Sequence, residues 1–401
     1  MSGFAEFLLA IGALFAAFSC GYLLLLTLLS WRLPIPTPSS RRMCFDVIVP
    51  AHNEEAGITR VVQSLLKIDW PKNQFRVLVV ADNCSDATAA VARAQAAQVL
   101  ERSNLALRGK GYALAYAFDW SIKDGFAQAV VVIDADAVVS PNLLEAFAAR
   151  IERGARAMQA SYGVLNPWSS WRTQLLAIAK GAFHTVRSRA RERLGVSCGV
   201  RGNGWCVTTE LLQQIPYEHF SLSEDLEYGI ALGLAGCRVQ YAGEAHADAD
   251  MVSNEKNARS QRQRWERGRF ELVRLNTWPL LRAAFERRSL VCLDLALDLI
   301  VPPLSYVALN IFLLGTLAGL LSIWDAGAAL WIWWALACAG VLVLHVLRGW
   351  RLSGVGARGL IAFAHVPGFI LWRMWLLLAR KPQQWVRTER ESEKKTEPTN
   401  P

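Results

Sequence analysis

Four long apolar stretches and a central block of short ones divide the chain. From Phe7 to Ser30 there are 24 positions without a charge, enough to cross a hydrocarbon core of about 30 Å at about 1.5 Å per residue. The run is too long for the apolar part of a signal peptide, no basic segment precedes it and no A-x-A site follows, so the pattern predicts a span. Two further uncharged runs, Leu299–Trp324 and Ala326–Leu347, are joined by a tiny loop holding Asp325. The fourth, Gly359–Ala379, differs: Pro367 interrupts it, Arg373 charges it and basic residues flank it on both sides. Basic at both ends, it fits an interfacial helix better than a full span, with a third C-terminal span as the alternative.

Between the first and second spans the period changes. Phe45–Pro50, Arg76–Ala81 and Ala129–Ile133 are short buried-strand patterns separated by helical ones, such as the amphipathic stretch from Val61 to Leu66. That alternation predicts an α/β fold with parallel β-α-β units. The resulting division is an N-terminal transmembrane helix in 1–31, a globular domain in 44–285, two transmembrane helices in 290–347, a membrane helix in 359–379 and a disordered tail in 388–401.

Composition agrees with a membrane protein. Hydrophobic types make up 53% and charged types 19%, below the roughly 25% charged residues of soluble domains. The net charge of +9 has its first explanation in cytoplasmic Lys and Arg beside the bilayer. Arg32, Arg41 and Arg42 follow the first span, and no Lys or Arg precedes it. The positive-inside rule therefore predicts a multi-pass protein of the plasma (inner) membrane with its middle domain cytoplasmic. The eight cysteines contain no C-x-x-C pair and read as reduced rather than as a zinc or disulfide framework.

In parallel sheets, ligands gather beyond the carboxyl ends of strands. Here those positions hold Ala51-His52-Asn53-Glu54-Glu55, Asp82-Asn83-Cys84-Ser85-Asp86 and Asp134-Ala135-Asp136. Each cluster alone reads equally well as a helix cap or turn. Together they converge on one crevice, where a divalent cation with oxygen ligands would relieve their repulsion. No G-x-x-x-x-G-K-[ST] loop is present, and Gly109-Lys110-Gly111 lacks the third glycine of a dinucleotide fingerprint. Lys110 fits a phosphate or base contact and an ordinary turn about equally. Downstream, Ser223-Glu224-Asp225 places adjacent acids at a helix start, and Gln261, Arg264 and Trp265 share one helical face. A second D-x-D, Asp248-Ala249-Asp250, is set aside because no long buried strand leads into it.

The ordered set VPAHNEE, DNCSD, DAD, SED and QRQRW resembles the membrane-bound family 2 glycosyltransferases, which include cellulose, hyaluronan and poly-N-acetylglucosamine synthases and ceramide glucosyltransferases. The resemblance covers about residues 44–275 and the flanking spans. It implies a type A glycosyltransferase (GT-A, Rossmann-like) fold, a nucleotide-sugar donor, commonly a UDP-sugar, and Mg²⁺ or Mn²⁺. By position it implies Glu54 and Asp82 at the nucleotide, Asp134 at the ribose or donor sugar, Asp136 on the metal and Asp225 as catalytic base. Gln261, Arg264 and Trp265 would line the diphosphate and acceptor site, and Asn203 and Gly204 align with an acceptor-contacting loop. Two positions depart from the family pattern: Asn83 replaces the second acid of a DDxSxD-like motif, and Ser223 replaces the threonine of TED.

The acceptor divides this expectation. A growing polysaccharide is the first choice, and a membrane-embedded lipid receiving one or a few sugars is the alternative. Three spans are few for a polymer channel, so the first choice calls for a partner subunit or a homo-oligomer. A nucleic-acid binding role for the basic run Arg259–Arg269 is set aside, since the strand-end carboxylates would repel that ligand.

Overall fold

The computed structural model describes residues 2–251 and 255–368, with side chains left aside at 2, 255–265 and 267. The tail expected in 388–401 and the second half of 359–379 lie outside the described residues, as do the side chains of Gln261, Arg264 and Trp265.

Among the described residues, eight strands form the sheet: β1 (Phe45–Ala51), β2 (Phe75–Asp82), β3 (Gln98–Arg102), β4 (Ala129–Val132), β5 (Ala137–Val139), β6 (Ala157–Ser161), β7 (Trp205–Thr208) and β8 (Val239–Ala249). Their order is β3-β2-β1-β4-β7-β6-β8-β5. The first half is parallel as expected, with β1 between β2 and β4. The second half is mixed, because β7 runs antiparallel to both β4 and β6, and β5 antiparallel to β8.

Alternate residues of each central strand enter different cores, as the two-residue period demands. Val47, Val49, Val77, Val79 and Val131 pack beneath the helix Ile58–Leu66. Ile48, Leu78, Val80, Val130 and Val132 pack against the helix Lys110–Asp124. Helices on both faces explain why these strands read as continuous β-branched runs rather than as alternating ones.

Among the described residues, three helices are long and apolar enough to cross a membrane: Gly3–Leu28, Leu304–Leu321 and Ala326–Leu352. They pack together through Leu9, Ala13, Ala16, Val307, Leu314 and Cys338, while Phe7, Leu14, Phe312 and Trp333 stay exposed on the outside. The last helix runs past Leu347 because Arg348 is satisfied locally, donating to the hydroxyl and carbonyl of Ser30 at 2.8 and 2.9 Å. The segment Leu290–Ile300, expected to start the second span, is a separate short helix. Ala357–His365 forms a 3-10 helix in which His365 stacks on Trp171 at 4.8 Å.

The helix Trp171–Lys180 continues as a π-helix, Gly181–Val186, which lies against the last membrane helix. A Cβ at Gly349 would come 2.6 Å from the Ala182 Cβ and 2.8 Å from its nitrogen. Gly349→Ala is therefore expected to destabilise this junction by about 1–3 kcal/mol through overpacking. Gly340→Ala, on the same helix with nothing within 4 Å, gains up to about 1 kcal/mol of helix propensity instead. Thermal unfolding of the two variants in detergent checks the opposite signs.

Candidate active site

Beyond the ends of β1, β2 and β4 the chain opens into one cleft of about 1790 Å³. Glu54, Asp82, Lys110, Asp134, Asp136 and Asp225 all line it, so residues up to 171 positions apart in sequence meet as the strand-end argument requires. The turns leaving β1 and β2 use Asn53 and Asn83 at positive φ, 54° and 52°, a conformation that asparagine tolerates better than most side chains. Asn83 also accepts from the Asn104 amide at 2.7 Å and donates to Asp82 at 3.0 Å. The asparagine that departs from the family acid thus has a local reason: it closes this turn.

Asp82 is held from two sides, since Arg102 also reaches its Oδ1 at 2.6 Å. Arg102 went unnoticed in the sequence because it ends an edge strand of unremarkable composition. Lys110 sits at a helix start, where its ammonium donates to Asp134 Oδ1 at 2.5 Å and to the Gly202 carbonyl at 2.7 Å, with Glu224 at 4.0 Å. Burial alone would lower its pKa, but the charges of Asp134 and Glu224 outweigh that and hold it well above the usual lysine value. Lys110 is therefore the internal counter-ion of the strand-end acids.

Glu224 and Asp225 open the helix Glu224–Leu234. Burial raises the Glu224 carboxyl to about 7, and the charge of Asp225 adds to this. Burial also raises Asp225, with Lys110 opposing. Gly202, at φ 86°, lets the chain pass beneath the Asp225 carboxylate, whose Oδ2 would lie 3.3 Å from a Cβ there. A raised carboxyl beside open cleft has the character of a general base or acid working near neutral pH.

Two sequence readings find a different setting in the structure. Asn203 and Gly204 are buried behind the cleft rather than on it. Asn203 accepts from the Asp134 amide at 2.9 Å and donates to the Ala247 carbonyl at 3.1 Å. A Cβ on Gly204 would lie 2.6 Å from that of Ala247. Both are buried beside the D-x-D backbone, and neither lines the cleft. The second D-x-D is likewise no bystander, because the eleven-residue strand β8 leads directly into it. Pairing of Ala137 with Ala249 brings the two D-x-D segments side by side, and Asp250 lines the cleft. Arg60 ties them, donating to the Asp136 carbonyl at 3.0 Å and to Asp250 Oδ2 at 2.6 Å. The strand was hidden because Gly243, Glu244, His246 and Asp248 interrupt its apolar pattern.

From the acids the cleft continues towards the long apolar helices. Its far wall includes Pro302, Leu304 and Ala308 at the start of one span, Val346 and Leu347 near the end of another, and Phe363. The basic-run helix Glu255–Glu286 closes one side, with Glu266 and Arg269 on the wall.

Comparison with known proteins agrees with this layout. The family model described as "Glycosyltransferase like family 2" matches residues 42–268. The beta-monoglucosyldiacylglycerol synthase of Trichormus variabilis is 26% identical over 243 residues, which is 59% of this chain and 51% of the relative. Over a shorter stretch of 46 residues, the poly(ribitol-phosphate) beta-N-acetylglucosaminyltransferase TarS of Staphylococcus aureus is 50% identical, covering 12% of this chain and 8% of that protein. This chain thus aligns with only about half the length of the first of these relatives, and much less of the second. Among solved structures, the mannosyltransferase PcManGT from Pyrobaculum calidifontis, in complex with GDP-Man and Mn²⁺, superposes with a TM-score of 0.50 at 18% identity. That superposition covers 85% of this chain and 98% of PcManGT, and it places the mixed sheet in the GT-A class.

Proposed function

Since the chain belongs to glycosyltransferase family 2, we propose that it transfers a sugar from a nucleotide-sugar, with inversion, to a lipid acceptor that enters the cleft from the membrane. The observation carrying this reading is the unbroken cleft from the strand-end acids to the apolar wall at Leu304, Ala308, Val346 and Leu347. A growing polysaccharide, the first expectation from the sequence, is supported less well. Among the described residues, none from the first membrane helix lines the cleft, and the three spans fill the space between them with their own side chains. The relative named for a glucosyldiacylglycerol product supports the lipid reading, and the one named for a poly(ribitol-phosphate) acceptor keeps the polymer reading as the second.

In this reading Asp225 accepts the proton of the acceptor hydroxyl as that oxygen bonds the anomeric carbon. The bond from that carbon to the diphosphate oxygen breaks on the opposite face. An α-linked donor then yields a β-glycoside. Lys110 and the strand-end acids orient the donor, and the apolar arm excludes water that would otherwise compete as acceptor. The nucleotide-sugar side opens on the cytoplasmic face of the inner membrane.

The acid end of the cleft suits Mg²⁺ or Mn²⁺. Magnesium-type cations take few protein carboxylates and complete their shell on substrate phosphates, and Asp134 and Asp136 both line this end of the cleft. Asp136 would hold it beside Asp134, and when bound it supplies charge neutralisation at the leaving diphosphate. Asp136→Ala is expected to shift the Mn²⁺ concentration for half-maximal transfer at least about 100-fold, since even outer-shell changes cost 10–100-fold. A metal titration of transfer checks this, and an unchanged midpoint would move the metal elsewhere.

The acceptor route is tested by a photoreactive side chain at Val346, on the cleft wall. Expected is cross-linking to a radiolabelled acceptor lipid that excess unlabelled acceptor suppresses. At exposed Leu14 the same probe should report bulk lipid with no such competition. Equal behaviour at both positions contradicts the route.

A further inference from the structure

Where the acid end of the cleft meets its membrane arm, three nitrogen-bearing side chains of one helix lie in sequence along the wall. Lys180, His184 and Arg187 all line the cleft, and their spacing follows the π-helical turn Gly181–Val186 between them. Such turns recur at functional sites because they re-aim side chains. Among the described residues, buried Lys180 Nζ, His184 Nδ1 and Arg187 Nε find no hydrogen-bond partner. Lys180 is only 6% exposed, and its ammonium rests on the Tyr162 ring, 3.0 Å from the centroid. Tyr162 in turn contacts the His184 ring at 5.2 Å.

The surroundings of this wall carry an excess of positive charge. Arg187, Arg191 and Arg201 converge on the Asp298 carboxylate at 3.0, 2.6 and 3.2 Å, and Arg191 also meets Asp294 at 3.0 Å. Arg269 donates to the carbonyls of Asp298, Leu299 and Val301. Two carboxylates thus face four guanidinium groups, and Lys180 stands apart from both, its side chain facing the charges of Asp136, Asp134 and Asp248 at the acid end of the cleft instead. Buried cations ordinarily find a hydrogen-bonded counter-charge, and these donors have room for one on the cleft side.

We propose that Lys180, with His184 and Arg187, forms a subsite for a phosphate group carried by the acceptor lipid. This rests on the lipid-acceptor reading above and adds the chemical class of its headgroup. The row begins at Lys180, beside the strand-end acids Asp136 and Asp134, and runs on through His184 and Arg187 along the helix that packs on the apolar helix Ala329–Leu352. Tyr162 and the π-helical turn fix the ammonium, so the phosphate sets how far the acceptor hydroxyl advances towards Asp225.

The test uses the full chain in detergent, with short-chain phosphatidic acid and diacylglycerol as probes and bound lipid counted by native mass spectrometry. The wild type is expected to bind phosphatidic acid about tenfold or more tightly than diacylglycerol. Lys180→Met should remove most of that preference, about tenfold for one lost charge-assisted hydrogen bond. Lys180→Arg should keep it, and Lys123→Met, on an exposed surface helix, should leave it unchanged. The donor KM for hydrolysis in Lys180→Met should stay close to wild type. Equal binding of both lipids by the wild type overturns the subsite, and so does a donor KM that rises as far as lipid binding falls. If labelled sugar enters polymer alone while phosphatidic acid binding still depends on Lys180, the lipid-acceptor reading fails and the anion subsite stands. Label in lipid with no phosphate preference sinks the subsite alone.

Discussion

Asp225→Asn is expected to lower transfer by about 10²–10⁴-fold, the usual contribution of a positioned base, while leaving donor binding and thermal stability near wild type. The amide keeps the volume of the carboxyl and its place over Gly202, but it cannot take the acceptor proton. It also removes the charge that helps raise Glu224, so no new buried repulsion arises. The same chemistry fixes the pH dependence. A base works only when ionised, and burial raises both carboxyls of the pair. Wild-type transfer should therefore be high above the raised pKa values and fall as pH drops through them. That acid limb lies above the ordinary carboxylate range near 4, because burial raises Asp225. Rates measured from pH 5 to pH 9 would show it, and a flat profile with retained turnover in Asp225→Asn would remove this residue from the chemistry.

The second large effect is on folding. Asp298→Ala strands Arg187, Arg191 and Arg201 around an uncharged space, and breaking a buried ion cluster costs about 3–5 kcal/mol. The cluster is a joint between elements. Arg191 also donates to the Tyr22 hydroxyl of the first membrane helix at 2.6 Å, and that hydroxyl donates to Asp294 at 2.9 Å. Expected is a much lower unfolding temperature in detergent, with Asp298→Asn intermediate because it keeps part of the hydrogen bonding. Burial alone would raise the Asp298 carboxyl, but Arg191, Arg201 and Arg187 outweigh it and hold it well below the usual range. Its contribution is therefore present above the unfolded carboxyl value near 4 and is lost only as pH falls through the depressed folded value. Unfolding of Asp298→Ala at the wild-type temperature would show that the arginines are satisfied without it.

The particular residues show where the sequence was readable. β1, β2 and β4 are continuous apolar runs that stop at acids, so both the strands and the cleft residues Glu54, Asp82, Asp134 and Asp136 could be placed from period and position. The three helices long and apolar enough to cross a membrane were legible because length and lack of charge suffice to mark them. What stayed hidden depends on distance or on interrupted patterns. Strand β8 carries glycine and charged residues along its partly exposed face, so it left Asp250 looking detached. Asp294 and Asp298 sit in an apolar stretch, and their partners lie about 100 residues earlier or in the first span, so Leu290–Ile300 looked like the approach to a membrane helix. Lys180 is one of many basic residues in its region, and only burial, the π-helical turn and the missing hydrogen-bond partner distinguish it. Asn203 and Gly204 were assigned a surface role by alignment alone, whereas the structure uses them behind Asp134.

The most direct measurement follows the transferred sugar. Full-length protein in lipid nanodiscs would be incubated with Mn²⁺ and a panel of radiolabelled nucleotide-sugars, with Asp225→Asn as control, and products divided into solvent-extractable lipid and high-molecular-weight polymer. Label in the lipid fraction, absent in the variant, is the predicted result. Label confined to polymer would contradict the lipid-acceptor account.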